Sequence, residues 1–220
     1  IRALWRWAAR QSPPLVSADP AGNVSEHRTR RDREVGILRP EEAHQALLAA
    51  GPARAALALL LFAGIRPGEL GGDGKPPLLW SAVDPEAKII RIPAANAKTR
   101  RARILEDLPP SLWRFLVPPT DRHLPVSPSR PLQIIRRAQI ALGYTTPRGH
   151  RLKPWPHDGT RHSFATYHLA RYADPGKTSL LLGHEGNPSL LYRHYRGLAT
   201  RAEALEYFDP PTEPPQGSNG

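Results

Sequence analysis

Residues 53–70 read ARAALALLLFAGIRPGEL, and this stretch sets the architecture. Nearly every side chain over 53–63 is apolar, so the segment reads as a helix buried on all sides, the central helix of a core. Gly64 ends it, and Ile65-Arg66-Pro67-Gly68-Glu69 follows as a turn. An arginine placed directly after such a helix stands at the edge of the core rather than in free solvent. Glu69, three residues on, is positioned to hold its guanidinium. The same pair also reads as a plain surface ion pair.

Upstream, Pro40-Glu41-Glu42 makes a good first helical turn, with proline at the start and acids near the positive end of the dipole. Ala43, Leu47 and Leu48 give that helix its apolar face, and Gly51-Pro52 breaks it. Downstream, 78–81, 88–93 and 103–108 read as short strands, with Ile89, Ile90 and Ile92 carrying the β-branched signal. Helical patterns then follow at 110–116, 131–142, 158–172, 176–182, 188–195 and 200–207. A Pro-, Gly- and base-rich loop fills 143–156. The expected fold class is α+β, mainly α with one small antiparallel sheet. Residues 1–10 read as a short amphipathic helix with Trp5 and Trp7, and 11–36 as a basic linker. The body of the protein is expected over 37–208, with a disordered Pro/Gly/Ser-rich tail over 209–220.

Composition narrows the function. The chain has 220 residues, 40% of them hydrophobic, enough for one good core but not two large ones. It has no cysteine, which excludes a disulfide framework, a cysteine nucleophile and a thiolate metal site. It has no methionine either, so residue 1 is expected not to be a translation start and the sequence to be a fragment or a processed chain. No apolar run approaches the roughly 18–20 residues of a membrane span, and the charged, aromatic start does not read as a signal peptide. Lys+Arg number 31 against 20 acids, giving a net charge of +11. Only five of those bases are lysines, a preference that GC-rich codon usage explains. Such usage does not explain the net charge, which suits a polyanion such as nucleic acid.

Four further pieces carry possible chemistry. Lys98, in Ala97-Lys98-Thr99-Arg100-Arg101 between two strands, sits at a hairpin tip that reaches away from its sheet; it also reads as a solvated turn. In His157-Asp158-Gly159-Thr160-Arg161-His162-Ser163-Phe164, Asp158 and His157 lie three and four residues before Arg161, on one helical face. His162 and Phe164 are expected to begin the packing side, and Asp158 also reads as a helix cap. His184 follows Leu181-Leu182-Gly183 at a helix end, where a histidine is also an ordinary structural residue. Tyr195, in Tyr192-Arg193-His194-Tyr195-Arg196, has basic neighbours that a phenol of pKa about 10 needs if it is to act as a nucleophile. It also reads as a half-buried aromatic.

In this order and spacing, the five pieces resemble the catalytic domain of the tyrosine recombinases, the phage-type integrases, over roughly residues 35–208. The resemblance implies that Arg66 and Arg161 clamp the non-bridging oxygens of the scissile phosphate. It implies that Lys98 protonates the leaving 5′ oxygen, that His184 hydrogen-bonds the phosphate and that Tyr195 takes the 3′ phosphate covalently, with Glu69 supporting Arg66. The function implied is site-specific DNA recombination or integration, in the cytoplasm of a bacterium or on a phage or mobile element. No metal, cofactor, small-molecule substrate or membrane is implied. The partners would be double-stranded DNA and further copies of the chain, a monomer in solution assembling as a homo-tetramer on paired sites. In that assembly the C-terminal segment around 200–207 would dock on a neighbouring copy. Residues 1–10 would be the last helix of an N-terminal DNA-clamping domain.

The chemistry is self-consistent. Attack on a phosphodiester builds charge on the equatorial oxygens, fixed arginines stabilise that charge, and a lysine can supply the alkoxide's proton. Backbone phosphates would meet the basic runs containing Arg28, Arg30 and Arg31, then Arg100 to Arg103, Arg136 with Arg137, and Arg148 to Lys153. Two positions stay open. The family commonly has histidine three residues before the second arginine; Asp158 stands there, with His157 one place earlier. Tyr192 is a rival nucleophile, expected on the packing side of its helix. A type IB topoisomerase-like enzyme and a decayed integrase that only binds DNA are the alternative readings.

Overall fold

The computed structural model describes residues 2–16, 35–72, 74–183 and 188–210. The chain forms two compact units, 1–34 and 35–220. In the first, helix α1 (Arg2–Ala9) ends with the Gln11 amide donating to the Trp7 carbonyl at 2.9 Å. Arg28, Arg30 and Arg31 lie outside the described residues, as do most of the expected linker and the tail beyond 210.

The second unit is built on the apolar stretch. Helix α3 (Arg54–Phe62) is buried continuously from Ala56 to Phe62. Helix α2 (Pro40–Ala49) precedes it and buries Ala43, Ala46 and Leu47, whereas Leu48, expected on that face, is half-buried. Helices α4 (Pro131–Ala141), α5 (Gly159–Tyr172), α6 (Pro175–Leu182), α7 (Pro188–Tyr195) and α8 (Arg201–Tyr207) follow. Helix α5 is the hub: it packs on α3, α6, α7 and α8. Residues 35–38 already belong to this unit, because Leu38 N–H donates to Ser163 Oγ at 2.7 Å and its carbonyl accepts from the Tyr167 hydroxyl at 3.1 Å. The region 110–116, expected as a helix, forms a 3-10 helix over Pro110–Phe115.

Aromatic rings close the core. Tyr207 stacks on Tyr167 at 4.2 Å, meets Phe62 edge-on at 5.5 Å and donates its hydroxyl to the Leu61 carbonyl at 2.9 Å. Each such ring contributes about 1.5–3 kcal/mol through burial. Helix α8 is thereby anchored on the core of its own chain.

The sheet is antiparallel in the order β1 (Val83–Asp84), β2 (Ile89–Ile92), β3 (Arg103–Leu105). Val83, Ile90, Ile92 and Leu105 face the core, and Arg91 and Ile104 face out. The first strand lies later than expected. Leu78, Leu79 and Trp80 are apolar and buried or half-buried, but Trp80–Ala82 winds into a 3-10 turn. The pairing is made instead by a tight hairpin in which Asp84 Oδ1 accepts the Ala87 N–H at 3.0 Å, setting Val83 opposite Ile90.

Candidate active site

Two helix ends and two strand-borne or loop-borne charges build the site. A helix leaves its last carbonyls without internal partners and carries the negative end of its dipole there. Helix α6 ends at Leu182, with Gly183 at φ +63 as its cap, and α3 gives way to Gly64 at φ +61. Arg161, near the start of α5, is directed at both ends. Its Nη1 donates to the Gly64 carbonyl at 2.6 Å and its Nη2 donates to the Leu182 carbonyl. The approach requires glycine at 64, because a Cβ there would stand 2.2 Å from the Phe164 ring. Arg161 is only 7% exposed. Burial and then the like charge of Arg66 pull its pKa to about 9, against the raising effect of Glu69, so it remains a cation at neutral pH.

Glu69 is the counter-charge. It is fully buried and receives Arg103 in a two-point pair, at 2.7 and 2.8 Å. Its Oε2 also accepts the Arg66 backbone N–H at 2.7 Å, and its Oε1 lies 3.6 Å from Arg66 Nη1. Burial pushes this carboxyl up, but the hydrogen bond and charge of Arg103, then those of Arg66, bring it below 4.5 overall. Glu69 therefore stays ionised and fixes the turn after α3 against β3. Arg66 in turn donates from Nη1 to the Leu182 carbonyl at 3.4 Å, so the two arginines share one acceptor.

Tyr195, the last residue of α7, is 8% exposed, and its hydroxyl lies 2.7 Å from Nδ1 of His162 on α5. Burial raises the phenol's pKa above 10, the positive charge of Arg161 opposes this, and Asp158 adds to the rise. The histidine is shifted the other way: burial lowers it below 6.5, Asp158 opposes, and His157, Arg161 and His194 lower it further. The arrangement places a phenol, a neutral imidazole and guanidinium donors in one place, as an anionic oxygen centre under nucleophilic attack would need.

No family model matches the chain, and no curated protein matches it. Solved structures do. A XerA recombinase crystal structure is similar with a TM-score of 0.53 and 23% identity, over 78% of this chain and 63% of that one. The Tn1549 transposon integrase, in complex with transposon right end DNA, is similar with a TM-score of 0.52 and 16% identity, over 93% of this chain and 74% of that one. The same integrase with a circular intermediate DNA gives the same values. The chain has the tyrosine recombinase catalytic-domain fold. It spans less than two thirds of the XerA recombinase chain.

On this recombinase fold, Arg66, Glu69, Arg161 and Tyr195 come together as one group. Lys98 does not join their hydrogen bonds. It is exposed in the β2–β3 connection and borders a cavity with Lys75, Pro76 and Arg100. That connection is anchored by buried Asn96, whose side chain donates to the Glu69 and Pro76 carbonyls at 3.1 and 2.7 Å. His184 lies outside the described residues. His157 and Asp158 are exposed and 3.6 Å apart. Asp158 occupies the cap position of α5 in a left-handed conformation, but its side chain makes no cap hydrogen bond.

Three expectations are corrected. Tyr192 is 38% exposed and Tyr195 only 8%, so the packing-side tyrosine is Tyr195. His162 is not a packing residue but the partner of the Tyr195 hydroxyl. Arg103, grouped with the backbone-facing bases, is held on Glu69 instead. Sequence reasoning missed Arg103 and His162 because each acts through a distant partner, 34 and 33 residues away along the chain. Among the other basic positions, Arg100, Arg101, Arg136, Arg137 and Arg148 are exposed. Lys153 is exposed too, but its ammonium lies 3.6 Å from Glu42 and 3.9 Å from the centre of the Tyr144 ring. His157, Asp158 and His162 bring ligand atoms within 4.8 Å of one another, but the positive charge of Arg161 beside them disfavours a cation there. Among the described residues, no helix is long and apolar enough to cross a membrane.

Proposed function

We propose that the chain cleaves and rejoins DNA strands in site-specific recombination, through a 3′-phosphotyrosyl intermediate on Tyr195. The observation that supports this reading is the buried Tyr195 hydroxyl beside the positive charge of Arg161, whose guanidinium shares the Leu182 carbonyl with that of Arg66. Both guanidiniums are held by carbonyls and, for Arg66, by Glu69, so they are pre-oriented to bind the non-bridging oxygens as charge develops. The phenol oxygen bonds to phosphorus, the bond to the 5′ oxygen breaks, and Lys98 supplies the proton that oxygen takes up. His184 adds a hydrogen bond to the phosphate. The linkage conserves the energy of the broken bond, so a new 5′ hydroxyl can reverse the reaction.

Double-stranded DNA is the partner. The exposed bases Arg100, Arg101, Arg136, Arg137 and Arg148 lie against its backbone, together with Lys153 and with Arg28, Arg30 and Arg31 of the linker. Residues 1–10 are the end of an N-terminal clamping domain, and the complex is a tetramer on paired sites.

The test is a nicked suicide substrate, which traps a covalent protein–DNA adduct. Tyr195→Phe keeps the ring's packing and removes only the attacking oxygen, so adduct formation is abolished while DNA binding is nearly unchanged. Tyr192→Phe retains the adduct. Binding without any adduct in the parent chain, even with its N-terminal clamping domain restored, would instead make it a DNA-binding protein only, and an adduct that survives Tyr195→Phe but not Tyr192→Phe would move the nucleophile to Tyr192.

A further inference from the structure

A phenol whose pKa lies above 10 is almost wholly protonated near neutral pH, so attack through Tyr195 needs somewhere for its proton to go. The basic groups around it differ in what they can accept. Arg161 is a cation and accepts nothing. Asp158 and His157 are exposed at the mouth of α5 and pair with each other rather than with the hydroxyl. His162 is half-buried, one residue beyond Arg161 on the same helix, with Nδ1 at 2.7 Å from the Tyr195 oxygen. The two rings are 5.7 Å apart between centres and tilted by 43°, a geometry that places Nδ1 within hydrogen-bonding distance of the hydroxyl.

From this geometry we infer that His162 is a catalytic residue, the base that takes the Tyr195 proton during attack and returns it during rejoining. The inference rests on Tyr195 being the nucleophile. With the neutral ring carrying its proton on Nε2, Nδ1 accepts the hydroxyl's hydrogen bond. As the phenol oxygen bonds to phosphorus, its proton moves to Nδ1 and the ring becomes imidazolium. The electron pair of the breaking bond leaves with the 5′ oxygen, which is protonated separately. In the reverse step Nδ1 gives the proton back to the departing phenolate.

The surroundings suit a ring that starts neutral. The charged and titratable groups facing His162 are Asp158, His157 and Arg161 at the head of α5, and His194 and Tyr195 from α7. Burial and the basic members of this set favour the neutral ring, and Asp158 alone opposes them. Asp158 is also placed to stabilise the imidazolium once it forms.

The experiment measures single-turnover adduct formation on a nicked suicide substrate from pH 5 to 9. It uses the 220-residue chain and its His162→Gln, His162→Ala and Asp158→Asn variants. For the parent chain the rate falls about tenfold per pH unit below the His162 pKa and levels off above it. His162→Gln lowers the plateau about 10²-fold or more and removes that inflection, with DNA affinity unchanged. Added imidazole partly restores the His162→Ala rate. Asp158→Asn moves the inflection to lower pH. A His162→Gln chain that keeps the parent rate and pH profile overturns the inference and leaves the proposed function standing. A parent chain that forms no adduct, even with its N-terminal clamping domain restored, overturns both.

Discussion

Arg161 and Arg148 carry the same guanidinium in opposite surroundings. Arg161 is 7% exposed, held by the carbonyls of Gly64 and Leu182, and shares its neighbourhood with Arg66, Arg103 and Glu69. Arg148 is exposed in the turn of the 143–156 loop, where Thr146 and Gly149 close the backbone around it. The difference separates two uses of positive charge. A cation fixed before its ligand arrives can select one geometry of a developing anion. A cation that samples many positions in water can only attract phosphates in general. The contrast depends on the buried group being pre-assembled, and substitutions can attack that assembly one element at a time.

Glu69→Gln should have the largest effect on it. The buried carboxylate is the shared counter-charge of Arg103 and Arg66, and glutamine of the same shape removes the charge while leaving two cations beside it. Breaking a buried pair from one side costs about 3–5 kcal/mol. Urea denaturation should register a loss of that size, with Arg103→Met in the same background recovering part of it. A loss below about 1 kcal/mol, the range of exposed pairs, would mean that Glu69 is solvated and the nest is not a buried ion cluster.

Much of this nest is legible in the sequence. The apolar 53–63 stretch demands a buried helix, and an arginine and a glutamate three apart immediately after it have to stand at a core edge. The helices 131–141 and 188–195 follow their periodicity closely. What local pattern does not contain is the identity of distant partners. Arg103 reaches Glu69 only because β3 pairs with β2 in one register, Ile92 opposite Arg103. His162 meets Tyr195 because α5 packs against α7, a tertiary contact 33 residues away along the chain. Tyr192 and Tyr195, three apart, lie on nearly the same side of α7 in sequence, so only packing distinguishes them. The first strand escapes a sequence reading because the apolar content of 78–81 outweighs the weaker signal of the Asp84-Pro85 turn.

Gly64→Ala tests the close approach that delivers Arg161. The added Cβ meets the Phe164 ring at 2.2 Å and must also adopt φ +61. Overpacking and the left-handed conformation together cost about 2–4 kcal/mol. The substitution should also reduce adduct formation in the remaining folded protein, because the carbonyl that accepts from Arg161 belongs to residue 64. Full stability with reduced adduct would show that α5 shifts to make room, so that the approach serves the site rather than the core.

A buried base elsewhere on α5 gives a smaller, pH-dependent effect. His168 is fully buried, with Nδ1 2.8 Å from Thr178 Oγ1. Burial first, then the charge of Lys177, lowers its pKa to about 4, against Asp174, while Arg171 adds to the lowering. In the unfolded chain it titrates near 6.5. Folding keeps it neutral where the unfolded chain would protonate it, so its contribution is intact above about pH 6.5. It is lost as pH falls toward 4, by at most roughly 1.4 kcal/mol per unit. His168→Gln should flatten the pH dependence of the urea midpoint over that window. An unchanged slope would assign the acid sensitivity to the carboxylates, Glu69 first among them.

Arg148→Ala should have the smallest effect and marks the other side of the comparison. If Arg148 meets a single backbone phosphate, its loss removes one counterion-releasing contact. Affinity should fall by a few-fold at low salt, equally for every DNA sequence, and the slope of log affinity against log salt should decrease by about 1. At saturating DNA the rate of adduct formation should be unchanged, because a contact equally strong in ground and transition states does not alter the barrier. Arg161→Ala under the same saturation should lower that rate by about 10²–10³ or more, the loss expected for one fixed donor to a developing oxyanion. A saturating-rate defect in Arg148→Ala would place the exposed loop in the chemistry itself and erase the distinction between the two arginines. A sequence-dependent loss of affinity would instead assign Arg148 to base edges rather than to phosphate.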